Sequence, residues 1–124
     1  MSYEERKIFT ISIAIAAMQT ANDDDLKFTL PTGYQGKFIG STSWITVGVT
    51  TAPAVFTIGN AGDDATYGGV SIPIVAASSE GGATDTIPTT AASTIAAGAT
   101  VWLGHAGAAG AGAGTISLSF EVWK

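Results

Sequence analysis

The sequence predicts an all-β chain: a single-domain antiparallel β-sandwich over residues 1–124, jelly-roll or immunoglobulin-like, with about eight strands. Three observations predict it. Apolar and polar residues alternate in short runs, the period of a half-buried strand. Turn residues punctuate those runs at short intervals. Small residues dominate: Ala, Thr, Gly and Ser make up 64 of the 124 positions, a composition that suits short strands and tight turns better than long charged helices.

The first strand is predicted over residues 7–17; the apolar run 8–18 alternates Phe9, Ile11, Ile13 and Ile15 with Thr10, Ser12 and Ala14. It follows Arg6 and Lys7, as a secretory leader would, but Glu4 and Glu5 cancel that charge and the alternation is that of a strand. It is also too short to span a bilayer, so no membrane segment is expected. Asn22, Asp23, Asp24 and Asp25 predict a turn, because Asn and Asp bond to their own backbone. Leu26, Phe28 and Leu30 form the second strand, ended by Pro31, Thr32 and Gly33.

Residues 37–49 form the third. Ile39, Ile45, Val47 and Val49 share one parity; Phe38, Trp44 and Thr46 share the other. Gly40 and Gly48 predict bulges or close backbone approach. Ala54, Phe56 and Ile58 make a fourth strand, followed by a loop over residues 59–69. Val70, Ile72 and Ile74 make a fifth, placed at an edge by Pro73. A loop at 78–83 precedes a short sixth strand at 84–87. Residues 91–97 hold at most one helical turn. Residues 100–105 form a seventh strand, the Gly/Ala run 104–114 is read as a loop, and residues 115–123 form the last. The first and last strands are the longest and most regular and are expected to pair or to lie in one sheet. The predicted core is Phe9, Ile11, Ile13, Phe28, Ile45, Val47, Phe56, Ile58, Ile72, Val101, Leu103, Ile116, Leu118 and Phe120.

Chemistry-bearing patterns are sparse. With no Cys and one His, a thiol nucleophile, an iron–sulfur cluster and a multi-His metal site within one chain are excluded. Five basic against ten acidic residues, a net charge of −5, argue against nucleic acid, whose affinity depends on neutralised phosphates. The Gly-rich run 104–114 lacks the Lys of a phosphate loop and precedes a strand instead of a helix. The acidic runs 23–25 and 63–64 fit no calcium-loop spacing and are expected as solvated turn charges. Glu80, Asp85 and Glu121 have no context that marks a catalytic carboxylate pair. His105 has no orienting carboxylate or nucleophile motif and is expected to end a strand. No catalytic residue, metal or cofactor is expected.

The aromatic residues carry more. Trp102 opposes Val101 and Leu103 in parity, and Trp123 opposes Val122, so each points away from one strand face. Large aromatics of this kind anchor interfaces. The candidate interface residues are Tyr3, Tyr67, Trp102, His105 and Trp123.

Residues 47–54 (Val-Gly-Val-Thr-Thr-Ala-Pro-Ala), 56–60 (Phe-Thr-Ile-Gly-Asn), 93–101 (Ser-Thr-Ile-Ala-Ala-Gly-Ala-Thr-Val) and 112–118 (Gly-Ala-Gly-Thr-Ile-Ser-Leu) form an ordered series. It resembles small all-β structural proteins of tailed bacteriophages, especially capsid decoration (cement) and head-fibre proteins. The likeness spans about residues 44–122 and is a pattern of turns and small residues; the long Ala/Gly run departs from it. The resemblance implies a non-enzymatic protein that binds the major capsid protein on the outer head surface and stabilises the shell. It further implies a homo-oligomer, with a trimer favoured, assembled in the host cytoplasm. The alternatives are a tail or fibre component contacting the host surface, and a carbohydrate-binding β-sandwich.

Overall fold

Alternation of this kind needs a second sheet to cover each apolar face, and the chain supplies one. The computed structural model describes residues 6–18, 22–61, 64–107 and 109–124. Its strands are β1 (Lys7–Ile15), β2 (Asn22–Thr29), β3 (Gln35–Thr50), β4 (Ala54–Gly59), β5 (Gly68–Ile72), β6 (Ser79–Glu80), β7 (Thr84–Thr86), β8 (Thr100–Gly107) and β9 (Ala111–Trp123), with a 3-10 turn at Ala91–Ser93. One sheet has the order β1-β9-β3-β6 and the other β2-β8-β4-β5-β7. Every pairing is antiparallel. The accessible surface is 6208 Å², close to the ~6,100 Å² that area scaling gives for a folded chain of this mass.

The pairings decide between the two predicted topologies. They nest: β1 with β9, β2 with β8, β3 with β6, β4 with β5. The chain is one long hairpin doubled back on itself and rolled into two sheets, the jelly-roll arrangement. In the immunoglobulin arrangement the first and last strands belong to opposite sheets; here they are neighbours. β7 is an addition, hydrogen-bonded to the outer side of β5.

The two sheets enclose one core. Phe120 of β9 meets Phe9 (ring centroids 6.4 Å apart), Phe28 (5.7 Å) and Phe38 (5.7 Å), drawing side chains from both sheets around one ring. Ile13, Ile45, Phe56, Ile58, Ile72, Val101, Leu103, Ile116 and Leu118 are buried as predicted, and Phe9, Ile11 and Phe28 are partly buried against them.

Val47 departs from the prediction and is 49 % exposed. The cause is a bulge. Ile45 pairs with Gly114 and Val47 with Ala113, so two residues of β3 advance while β9 advances one, and the parity flips. A second bulge, between Phe38 and Gly40, works the same way: it buries Phe38 while Trp44, of the same parity, faces outward as its alternation with Ile45 predicts. Gly40 takes φ 157°, and Ser41 beside it is held by Asp85, whose carboxylate accepts bonds from the Ser41 N–H (3.0 Å) and hydroxyl. That contact ties β7 of one sheet to β3 of the other.

Four further expectations are corrected. Asn22 to Asp25 is the start of β2, not a turn; the irregularity is a bulge, with four residues from Asn22 to Leu26 against two from His105 to Leu103. β5 is not an edge strand, because β7 covers Gly69 to Ser71, and Pro73 falls just beyond the last ladder position. The 78–83 loop contains a short strand, β6, against Trp44 and Ile45. Most of the Gly/Ala run is strand: β8 continues to Gly107 and β9 begins at Ala111. Glycine is required there by close approach, since a Cβ on Gly114 would lie 2.2 Å from the Trp44 carbonyl oxygen.

Phe120→Ala removes the ring on which three others converge. It is expected to cost about 3–5 kcal/mol, read as a lower urea midpoint; a loss under about 1 kcal/mol would show that the sheets are held elsewhere.

Candidate functional site

The tryptophans differ in what covers them. On β8, Trp102 lies opposite Lys27 of β2, whose ammonium sits 4.0 Å from the ring centroid. On β9, Trp123 is covered by the Arg6 guanidinium, 4.3 Å from its ring, and Arg6 also pairs with Glu121. Both rings are spent on cation contacts within the chain. Trp44 of β3 is 51 % exposed. Among the described residues it takes part in no ring–ring or ring–cation contact.

The sequence-derived interface residues are therefore scattered. Tyr3 lies outside the described residues. Tyr67 is buried in the core, held by its N–H to the Ile58 carbonyl at 2.9 Å. His105 is 1 % exposed and stacks on Phe56 with centroids 4.4 Å apart; among the described residues neither ring nitrogen has a hydrogen-bond partner. Trp123 is buried under Arg6. Of the described four, Trp102 alone keeps a partly open surface, so Tyr67, His105 and Trp123 do not offer an anchor to a partner. Parity alone does not show cover: Trp123 points away from one strand face and is still covered by the long side chain of Arg6.

The candidate interface residues leave out the surface around Trp44, one of five aromatics that the sequence also offers as a sugar platform. On the outer face its cross-strand partners are Thr115 of β9 and Glu80 of β6. Thr42 and Ser117 form the next pair along. Beside them opens a cleft of about 540 Å³ between β3 and the 80–83 segment. Ser43 pairs with the core residue Ile116, so its hydroxyl, buried and without a hydrogen-bond partner among the described residues, lies on the opposite face, beside Gly81. The hydroxyl surface continues onto β1 through Ser12–Ser117 (2.8 Å) and Thr10–Ser119 (3.1 Å). Alternation with the core residue Ile45 already places Trp44 outward; what a single sequence does not show is that its ring stays uncovered while Arg6 and Lys27 cover the other two tryptophans.

The sheet edges form the second feature. Among the described residues four strands end their sheets, and three of them are blunted in recognised ways. β2 is bulged and carries Asp23, Asp24 and Asp25. β6 has two residues and is followed by Gly81 and Gly82; β7 has three and precedes Pro88. β1 has nine residues in unbroken register with β9, no Pro, no Gly and one charge, Lys7. Ile8 on it is 62 % exposed.

The remaining acidic groups serve the fold. Asp85 holds Ser41, and Asp64 caps its own loop, accepting bonds from the Thr66 N–H (2.8 Å) and hydroxyl. Among the described residues no three His, Cys, Asp or Glu side chains gather as a metal site would require. No described helix is long and apolar enough to cross a membrane. No protein-family model, curated protein or solved structure matches this chain.

Asp85→Ala leaves the Ser41 N–H without its acceptor and frees β7 from β3. The expected cost is about 1–2 kcal/mol in urea unfolding, with faster amide exchange at Ser41; unchanged exchange at Ser41 would show that the contact holds nothing.

Proposed function

We propose that this protein is a non-enzymatic bacteriophage virion component that decorates the outer surface of the head. It binds the major capsid protein there, stabilises the shell, acts as a homo-oligomer with a trimer favoured, and assembles in the host cytoplasm. The observation that carries this reading is the open edge of β1. A long, regular, nearly uncharged edge strand invites pairing with another chain, and proteins that stay monomeric blunt such edges. Here the other three edges are blunted and this one is not. In a ring of three, each copy would offer β1 to a different surface of the next, a heterologous contact that closes.

Other features support the same reading. Jelly rolls recur in viral shells and in lectins, an argument by analogy of fold. The resemblance over about residues 44–122 points the same way. Small side chains lose little rotamer entropy on docking. A contact repeated over a shell gains avidity from many weak sites, and a protein that binds only the assembled shell stabilises it by mass action. The absence of Cys suits assembly in a reducing compartment. The open Trp44 favours a second reading, a tail or fibre component that touches the host surface.

The test is to strip the protein from heads and measure shell rupture on heating, with and without adding it back. The protein is expected to raise the rupture temperature, and its attachment to depend weakly on salt, since few charges are available to pair. Ile11→Lys, which puts an inward charge on the β1 edge, is expected to bind heads less well while remaining folded. Equal rupture temperatures would remove the cement role, and full binding by the variant would remove β1 from the contact.

A further inference from the structure

The cleft beside Trp44 gathers polar groups, of which Ser41, bonded to Asp85, and Ser117, bonded to Ser12, have side-chain partners in the fold. Trp44 presents an uncapped aromatic surface, while the other two tryptophans are covered by Lys27 and Arg6. Around it stand a carboxylate, Glu80, and the hydroxyls of Thr42, Thr115 and Ser117, all on the outer face of one sheet.

This set is selective. A purely apolar ligand would leave Glu80 and the hydroxyls desolvated without partners, at a cost. An anion would meet Glu80 in a chain whose net charge is −5, with no Lys or Arg lining the cleft. A metal ion would find one carboxylate where several oxygens of higher charge are needed. A neutral sugar meets every requirement. Its ring carries a face of C–H groups that packs on an aromatic surface, while its hydroxyls donate to a carboxylate and exchange bonds with Ser and Thr. The cleft's volume of about 540 Å³ is in the range of small-molecule sites, about 300–1,000 Å³, and its open side allows a chain of sugars to run on across the hydroxyl surface of β9 and β1.

We propose that the Trp44 cleft binds a neutral oligosaccharide, with Trp44 as the stacking platform and Glu80 as the acceptor for adjacent sugar hydroxyls. The site lies on the outer face of the sheet, away from the core, and it does not depend on whether the protein sits on a head or a tail.

The test uses the indole N–H signals of the intact protein, one for each of Trp44, Trp102 and Trp123. Cellotetraose, maltotetraose and chitotetraose are titrated separately to about 10 mM, a range that detects weak single-site binding, with sialyllactose as the charged comparison. At least one neutral probe is expected to shift the Trp44 signal and leave Trp102 and Trp123 in place, and sialyllactose is expected to bind at least about tenfold more weakly. Trp44→Ala and Glu80→Gln are each expected to lower affinity at least about tenfold. Trp44→Ala should leave the unfolding midpoint nearly unchanged, since the ring is half in solvent. Trp102→Phe, on the opposite sheet, should bind as the parent does. No shift with any neutral probe, a shift at Trp102 or Trp123 in place of Trp44, or undiminished binding by Trp44→Ala would each overturn the proposal.

Discussion

β9 lies between β1 and β3, and both flanking ladders depend on its position. It pairs over nine positions with β1 and along most of the length of β3. Its inward residues Ile116, Leu118, Phe120 and Val122 form the floor of the core. Its outward residues Thr115, Ser117 and Ser119 form the hydroxyl surface. One strand thus sets both the interior and the exterior of its sheet. Its glycines permit this: at Gly114 the backbone of β3 comes so near that no side chain fits.

The nested pairing has a consequence for folding. Lys7 meets Val122 only after nearly the whole chain has been made. Contacts this distant in sequence carry the full entropy of closing a long loop before they stabilise anything. Local hairpins such as β4–β5 form cheaply, and the outer pairs, β2–β8 and β1–β9, close over them. Until β1 docks, its edge and that of β9 are both open, which makes the incomplete chain prone to wrong pairing. Once docked, β1 still has one side free, and the same property that endangers folding supplies the surface proposed to meet other subunits.

Much of this architecture was legible in the sequence. Period-two alternation located the long strands, most of the core and the pairing of the first with the last. Gly40 marked one bulge and Gly48 a further irregularity between Val47 and Thr50, but the bulge between Ile45 and Val47 holds no glycine: Val47 was placed inside and Phe38 with Trp44 on one face, because strict alternation assumes an unbroken ladder. The Asp run looked like a turn because Asp residues disfavour strands locally; tertiary pairing with β8 overrode that preference. The Gly/Ala run looked like a loop because glycine's usual meaning is flexibility, whereas here it marks close packing. The candidate site fared worst for the same reason. Trp102 and Trp123 were visible as outward residues, but the cations that cover them come from Lys27 and Arg6, distant in sequence. Trp44 was outward by its alternation with Ile45, but that no cation among the described residues covers it could be seen only in the fold.

The account's central claim is that a rigid β9 carries a surface whose edges and clefts are free to bind. Native-state amide exchange tests it most directly, because it reads local opening along the whole backbone. The amides of Ile116 to Phe120 should exchange only through global unfolding, while those of β6, β7 and the open side of β1 exchange by local opening. Exchange in β9 as fast as in β6 and β7 would contradict the account, since the strand on which both ladders and the core depend would then be no more stable than the edges it supports.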